Sequence, residues 1–276
     1  MLHVHYLHIN PKLKDLISCI IFTTSRESTS NEKAICLHPA TPQTGLCFHL
    51  DDGISLRKKE DNKFVKQPTS IIVGQQVSPV SIEVGKKFRS VRVGFQPGGL
   101  QLLLGISLSE ITDKSLNAED VWGNEIKNLN YQLQETSSVT GVNQLINNFF
   151  LKKYQFTRIN NACDYAIKHL INSGGNISIS HSSALANLST RQFERLCFER
   201  TGVTAKTLAR IARFSKAYRL KEKHVEMSWT NIAHECHYYD QSHLIKDFNS
   251  FAGYSPKVIE KHLLQSPVKL QSHLKF

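Results

Sequence analysis

The chain has 276 residues, 40% of them hydrophobic, and a formal net charge of +11. This length and apolar content favour one large domain or two ordinary ones and exclude a disordered chain. No run of about 18 apolar residues and no basic-then-apolar N-terminal pattern is present, so we expect a cytoplasmic protein that does not bind a membrane.

The first half of the chain is predicted to be rich in β-strands, in an antiparallel barrel or sandwich. After Gly99 the apolar spacing becomes helical, and two helices separated by a polar segment at 134–140 are predicted to extend to about Lys153. Short apolar runs bounded by turn residues predict strands at Leu46–Leu50, Ser70–Val73, Ser81–Val84 and Val91–Phe95.

The second half is predicted to be entirely helical. Apolar residues between Ile159 and Ile171 recur at steps of three and four, which indicates an amphipathic helix that Gly174-Gly175 would end. The basic segment around Arg158 is the predicted domain boundary. We therefore predict a β-rich sensory or dimerisation domain with C-terminal helices (1–153), a helical domain (158–265) and a C-terminal tail (266–276).

Positive charge is concentrated in the second half. Residues 158–276 carry 17 Lys and Arg against 9 Asp and Glu, and seven of the basic residues lie between Thr204 and Lys223. A concentrated basic surface suits a polyanion, either nucleic acid or an anionic membrane. A merely solvated basic face is the alternative.

Two segments of the second half share one design, a short helix, a tight turn and a second helix whose first half is polar. In the first unit Ser178 would cap a helix to Asn187, and Ser189 would cap a helix from Thr190 to about Arg200. Such helix-turn-helix units present side chains to the major groove of DNA.

In the second unit Ser228 would cap a helix, the segment His237-Tyr238-Tyr239 would turn the chain, and Asp240 would cap the next helix. A long basic helix is predicted over Ala205–Lys223, between the units. About 20 residues at about 1.5 Å each span roughly 30 Å, close to one turn of B-DNA.

A dense motif in the second unit comprises Asp240-Gln241-Ser242-His243-Leu244, Phe248, Phe251, Gly253 and Ser255-Pro256. With it, the region from about Asn160 to Leu264 resembles the AraC/XylS family of transcription regulators. The segment Phe95-Gln96-Pro97-Gly98-Gly99 and the pair Trp122-Gly123 are similar to the sensory domain of one branch of that family. The resemblance implies a two-domain α+β protein, with a cupin-like β-barrel and following helices before an all-α domain of two helix-turn-helix units.

The sequence departs from the family pattern at three places. Ser182 and Ser183 replace a Leu-Ala pair, His237 replaces the turn glycine, and Cys197 replaces a core phenylalanine.

By this resemblance the base-reading residues lie on the N-terminal parts of both second helices. They are Arg191, Gln192, Glu194, Arg195, Gln241, Ser242, His243 and Lys246. Phosphate contacts are predicted for Ser189, Lys206, Arg210 and Arg213.

The predicted function is sequence-specific regulation of transcription, with the two second helices in successive major grooves. The predicted partners are double-stranded DNA, RNA polymerase, an unknown small-molecule effector and a second copy of the chain. The alternative is a small-molecule-binding protein or a DNA-repair factor that uses the same helical module.

No catalytic motif is present, and we expect neither an enzyme nor a cofactor. Two groups of histidines invite a metal interpretation, but their spacing matches no standard zinc pattern, so no metal site is predicted. These groups are His3, His5 and His8, and His234, Cys236, His237 and His243. The six cysteines form no Cys-x-x-Cys pair and are interpreted as reduced and buried.

Overall fold

The computed structural model describes residues 2–25, 34–154 and 162–265. The predicted boundary at Arg158, the predicted helix start at Ile159 and the predicted tail, 266–276, lie outside these residues. The strands are β1 (Leu2–Tyr6), β2 (Ile17–Ser25), β3 (Ala34–His38), β4 (Gly45–Asp51), β5 (Ile54–Lys58), β6 (Val65–Lys66), β7 (Ser70–Val73), β8 (Val80–Val84), β9 (Phe88–Phe95) and β10 (Ser115–Asn117). The helices are α1 (Gly99–Leu104), α2 (Ala118–Glu135), α3 (Val139–Lys153), α4 (Ala162–Asn172), α5 (Ile179–Leu185), α6 (Thr190–Thr201), α7 (Ala205–Lys223), α8 (Trp229–Glu235), α9 (Gln241–Phe251) and α10 (Pro256–Gln265).

The strands form two antiparallel sheets. The larger sheet has the order β1-β2-β9-β4-β7-β10, and the smaller has the order β3-β8-β5-β6. In the larger sheet Val91 of β9 pairs with Phe22 of β2 on one side and with Phe48 of β4 on the other. Side chains opposite one another share a face of the sheet, so these three form one apolar row.

The predicted two-domain α+β class is confirmed, but the barrel is not closed. Between the described strands, no hydrogen-bonded pairing joins one sheet to the other. Prolines stand in three connections that cross between the sheets: Pro39 and Pro42 after β3, Pro68 after β6 and Pro79 after β7. Proline has no N–H to donate to a ladder, so strand pairing stops where the chain crosses.

The core of the N-terminal domain lies between the larger sheet and helices α2 and α3. Phe22, Phe48 and Phe150 are fully buried in it, and burial of each such side chain contributes about 1.5–3 kcal/mol. Helix α2 breaks at Gly123, whose φ of 54° and ψ of −134° are open to glycine and unfavourable for other residues. Helices α2 and α3 confirm the predicted pair of helices that extends to about Lys153.

Helix α7 belongs to two cores in the C-terminal domain. Its first half packs with Phe193 of α6 through Leu208, and its second half packs with Phe248 of α9 through Phe214 and Tyr218. The rings of Phe214 and Phe248 meet edge to face, with centroids 4.9 Å apart. One continuous helix therefore carries both helix-turn-helix units, as predicted.

The two serines that replace Leu-Ala in α5 are buried and satisfied. The Ser182 hydroxyl donates to the Ser178 carbonyl at 3.1 Å, and that of Ser183 donates to the Ser180 carbonyl at 2.9 Å. Because both hydroxyls have partners within the helix, their burial leaves no unmet polar group. The bounds of α5 and α6 agree closely with the predicted helices, from Ser178 to Asn187 and from Thr190 to about Arg200.

Candidate nucleic-acid interface

The first helix-turn-helix unit consists of α5 and α6. Asn187 turns the chain between them with a φ of 54°, a conformation that asparagine tolerates better than most residues. The Ser189 hydroxyl accepts the backbone N–H of Gln192, and the Gln192 side chain accepts the backbone N–H of Ser189. This reciprocal capping box fixes the start of α6.

The second unit consists of α8 and α9. His237 occupies the turn with a φ of 55°, so the residue that replaces glycine does adopt the left-handed conformation. Asp240 then caps α9 by accepting the backbone N–H of His243 at 2.9 Å. That hydrogen bond, followed by the smaller effect of the His243 ring, lowers the pKa of the Asp240 carboxyl. A charged carboxylate at a helix N-terminus also interacts favourably with the helix dipole.

The predicted base-reading residues of α6 lie on its outer face. Arg191, Gln192 and Arg195 are exposed, and Arg195 pairs loosely with Glu199 at 3.7 Å. Glu194 is only partly exposed, because its carboxylate accepts the backbone N–H of Ala205 at 3.0 Å. Glu194 therefore also caps the start of α7.

The predicted base-reading residues of α9 are all exposed. Gln241 donates to the Thr230 hydroxyl at 2.7 Å, and a ring nitrogen of His243 lies 3.1 Å from Asp240 Oδ1. Ser242 and Lys246 have exposed side chains one helical turn apart. The first turn of α9 thus presents donors and acceptors to solvent.

The four predicted phosphate contacts have different surroundings. Ser189 and Lys206 are exposed, at the starts of α6 and α7. Arg210 binds the buried carboxylate of Asp247 at 2.8 Å, with 42% of its side chain exposed. Arg213 donates to the Gly175 carbonyl at 3.0 Å and lies over the ring of Tyr238. Both arginines therefore help to hold the domain together.

Two further residues belong to this surface or support it. Tyr239, directly before the Asp240 cap, is 91% exposed, and its ring meets that of His243 edge-on. The preceding residue, Tyr238, is buried. The Tyr238-Tyr239 pair is therefore the sequence signal from which an exposed tyrosine at this turn could have been predicted. No role was predicted for Asp247 from the sequence. In the structure its carboxylate binds Arg210 and so connects α7 to α9.

The N-terminal domain contacts the far ends of α6 and α9. The Thr112 hydroxyl donates to the carbonyl of Gly202, which ends α6, at 2.7 Å. The Ala40 N–H donates to the Phe251 carbonyl at the end of α9 at 2.9 Å, and Lys59 donates to the Gly253 carbonyl at 3.2 Å. These contacts leave the N-terminal turns of α6 and α9 exposed.

The three cysteines of the C-terminal domain are buried and are not activated as nucleophiles. Burial raises the pKa of Cys163 and of Cys236 to about 11, and that of Cys197 to about 12. A methyl-accepting cysteine of a repair factor would need a lowered pKa. Cys236 is buried whereas His234, His237 and His243 are exposed, and no three potential ligands among the described residues are placed to hold a metal ion. Within the same residues, no helix has the length and apolar character needed to span a bilayer.

A family model described as a helix-turn-helix domain matches residues 183–262. A second, described as a domain of unknown function (DUF6597), matches residues 8–117. No curated protein matches the chain in sequence. Among solved structures, ToxT from Vibrio cholerae is similar with a TM-score of 0.49 and 12% identity, over 86% of this chain and 99% of that chain. The AraC-like transcriptional activator CuxR is similar with a TM-score of 0.25 and 12% identity, over 82% of this chain and 87% of that chain.

The match over residues 183–262 begins in the last three residues of α5, contains α6, α7, α8 and α9 whole, and ends within α10. The C-terminal part of the chain is therefore an AraC-type helix-turn-helix domain, and it follows a β-rich N-terminal domain. This is the domain type of DNA-binding transcription regulators.

Proposed function

We propose that the chain binds DNA sequence-specifically by inserting the N-terminal turns of α6 and α9 into successive major grooves, and that it thereby regulates transcription. The observation that carries this proposal is the placement of the N-terminal domain. Its hydrogen bonds reach Gly202, Phe251 and Gly253, at the C-terminal ends of the two helices. The polar first turns of both helices remain exposed and can reach a DNA duplex, whose major groove is wide enough for one α-helix.

The spacing of the two helices follows from α7. Because α7 contributes side chains to both cores, the two units are held on one 19-residue helix. Its length of roughly 30 Å is close to the distance between successive major grooves on one face of B-DNA.

Base reading is assigned to exposed donors and acceptors on both helices. On α6 these are Arg191, Gln192 and Arg195; since the Gln192 oxygen serves the capping box, its amide N–H groups remain to donate. Arginine and lysine donate to guanine, and glutamine bridges adenine, in the major groove. Glu194 completes the α6 set, and Gln241, Ser242, His243 and Lys246 form the α9 set.

Phosphate binding is assigned first to Ser189 and Lys206, whose exposed side chains stand at helix N-termini. Arg210 and Arg213 belong to the same assignment and bring positive charge to the backbone from between the units.

Control by the N-terminal domain completes the proposal. It would bind an effector or a second copy of the chain, and RNA polymerase would be the partner of the DNA-bound protein. Its contacts with both units give it a physical route to their placement.

Quantitative binding to DNA fragments captured by the full chain tests the proposal. We expect Arg195→Ala and Lys246→Ala each to weaken specific binding by about 1–3 kcal/mol and to leave non-specific binding nearly unchanged. Lys206→Ala should weaken binding to all sequences about equally and reduce the salt slope by about one.

The matched control is Lys127→Ala, which removes an exposed lysine from α2 in the N-terminal domain. All variants are compared at one salt concentration. If the Arg195 and Lys246 variants bind DNA with the same affinity as this control, the assignment of the two helices to the major grooves is refuted.

A further inference from the structure

The outer face of α6 offers mainly hydrogen-bond donors. Arg191 and Arg195 are exposed, and a guanidinium group donates but cannot accept. The Gln192 side-chain oxygen accepts the Ser189 N–H at 3.0 Å and the Ser189 hydroxyl at 2.9 Å, so both of its lone pairs are used within the helix cap. The Gln192 side chain therefore has only its two N–H donors left for a base.

Glu194 supplies the acceptor of the predicted α6 set. One of its carboxylate oxygens accepts the Ala205 N–H at 3.0 Å, which leaves the other oxygen for a base. In the major groove a carboxylate accepts from cytosine N4, and guanine N7 and O6 accept from arginine. Guanine and cytosine belong to the same base pair, so the donors and the acceptor of α6 suit G·C pairs.

The first turn of α9 presents acceptors as well as donors. Gln241 donates one side-chain N–H to the Thr230 hydroxyl at 2.7 Å, and its second N–H and its oxygen remain for a base. One donor and one acceptor on the same amide are what adenine N7 and N6 require. The bond to Thr230 also orients the amide before DNA binds, which lowers the entropy cost of the contact.

The ring of His243 provides a second acceptor on α9. Its Nδ1 lies 3.1 Å from Oδ1 of Asp240, and a carboxylate can only accept, so Nδ1 carries the proton and donates it. In the neutral ring Nε2 is then an acceptor. It suits an amino group on a base edge, which is adenine N6 or cytosine N4.

The turn of the second unit contains one residue more than the turn of the first. In the first unit the cap Ser189 comes two residues after Asn187, which has a positive φ. In the second unit the cap Asp240 comes three residues after His237, which has the same conformation. The added residue is Tyr239, whose ring is almost fully exposed beside the first turn of α9. Thymine is the base with a methyl group on its major-groove edge, and an apolar ring at this position suits that methyl.

We propose that the two units read different base pairs, with α6 selecting G·C pairs and α9 selecting A·T pairs. Because α7 holds both units on one 19-residue helix, the two half-sites would lie about 10 bp apart. Lys246, one turn after Ser242, adds a donor for thymine O4. The DNA site is then asymmetric and fixes the direction in which the chain lies on the duplex. This inference rests on the proposed function and specifies the DNA that the chain binds.

Selection of duplexes from a random-sequence library by the full chain tests the inference. We expect two enriched blocks, one of G·C pairs and one of A·T pairs, with centres about 10 bp apart. Selection with Arg195→Ala should lose the G·C block only, and selection with Gln241→Ala should lose the A·T block only. Lys127→Ala, which changes an exposed residue of α2, is the control and should enrich both blocks. On a fixed duplex, exchange of one contacted G·C pair for A·T should weaken binding about 5- to 150-fold.

Modified bases test the individual contacts. In the G·C block, 7-deazaguanine lacks the N7 acceptor and should weaken binding, whereas inosine keeps N7 and O6 and should not. In the A·T block, thymines are replaced one at a time by uracil, which lacks the methyl. At one position this change should weaken binding of the unaltered chain about fourfold and leave binding of the Tyr239→Ala variant unchanged. Equal sensitivity of both chains at every position would overturn the role of Tyr239.

The outcomes separate this inference from the proposed function. If both enriched blocks have the same base composition, or if Arg195→Ala removes the A·T block, the assignment of bases is overturned while sequence-specific binding stands. If no sequence is enriched over the starting library, the proposed function fails, and this inference fails with it.

Discussion

Acidification from pH 7 to pH 5 should destabilise the N-terminal domain, because two of its histidines are buried in the neutral form. In an unfolded chain a histidine has a pKa of about 6.5. Burial, with the charge of Arg92, lowers the pKa of His38 to about 3, and burial lowers that of His49 to about 4. Each contribution to stability is therefore complete above about pH 6.5 and is lost as the pH falls toward the folded-state value.

The magnitude follows from linkage. At pH 5 both histidines are almost fully protonated in the unfolded chain and mostly neutral in the folded one, so each loses about 2 kcal/mol, and the pair about 4 kcal/mol. Two described carboxyls in the C-terminal domain oppose this, because burial raises the pKa of Asp164 and that of Asp247. Burial raises the pKa of Asp164 to about 6 although Arg200 lowers it, and uptake of that proton stabilises the folded chain by about 1 kcal/mol at pH 5. The histidines dominate, and their loss is a large part of a typical stability of about 5–15 kcal/mol.

The two tryptophans give a domain-resolved assay. Trp122 packs on Phe149 in the N-terminal domain, with ring centroids 5.8 Å apart, and Trp229 packs on Phe248 in the C-terminal domain at 5.0 Å. In a Trp229→Phe variant, fluorescence reports the N-terminal domain alone. Urea unfolding at pH 7 and pH 5 should show a lower midpoint at pH 5 with an unchanged slope.

Replacing both histidines by glutamine removes the titrating groups and keeps polar side chains. In this background the double variant His38→Gln/His49→Gln should lose most of its pH dependence between pH 7 and pH 5. If the free energy of the Trp122 transition changes by less than about 1 kcal/mol in the unaltered histidine background, the reasoning is refuted. It is equally refuted if the double variant keeps the full loss.

Three further predictions concern the C-terminal domain. His237→Gly should raise the melting temperature by about 2–4 °C in calorimetry, because the φ of 55° suits glycine; a lower value would contradict the strain. Glu260→Gln should lower the free energy of unfolding by about 1–3 kcal/mol in the Trp229-reported urea transition, because the buried ammonium of Lys221 loses its carboxylate at 2.5 Å. The double change Lys221→Met/Glu260→Gln should recover part of this loss. If it recovers none, the ion pair is not the cause. Ser189→Ala should lower stability by about 1 kcal/mol by removing the α6 cap, whereas Ser189→Asn should not; equal losses would show that the hydroxyl does not act as a cap.

The helical half could be predicted closely from the sequence because its signals are local. Ser178, Ser189, Ser228 and Asp240 all cap helices as predicted, and α7 has the predicted bounds. Each signal depends on the bond between one side chain and a backbone N–H within three residues, so no knowledge of distant contacts is needed. Strand β7 was predicted with the same accuracy because turn residues flank it.

Long-range pairing could not be predicted in the same way. Whether strands close into a barrel depends on which edges meet, and the alternation of apolar residues is the same in an open sandwich. The partners of Arg210 and Arg213 were missed for a related reason. A basic residue on a helix predicts positive charge, but whether the charge faces solvent or Asp247 depends on the packing of α9 against α7.

The N-terminal domain has two different routes to the DNA-facing helices. To the first unit it connects through Thr112, which follows the short turn Leu108–Ile111 and donates to the end of α6. To the second unit it connects through Ala40, which donates to the Phe251 carbonyl at the end of α9, and through Lys59, which donates to the Gly253 carbonyl. Since α7 already fixes the distance between the units, loosening one contact would change the tilt of one unit while the spacing stays the same. Ala40 follows β3 and Lys59 follows β5, and both strands belong to the smaller sheet, so a movement of that sheet would act on α9, the helix that carries Gln241 to Lys246.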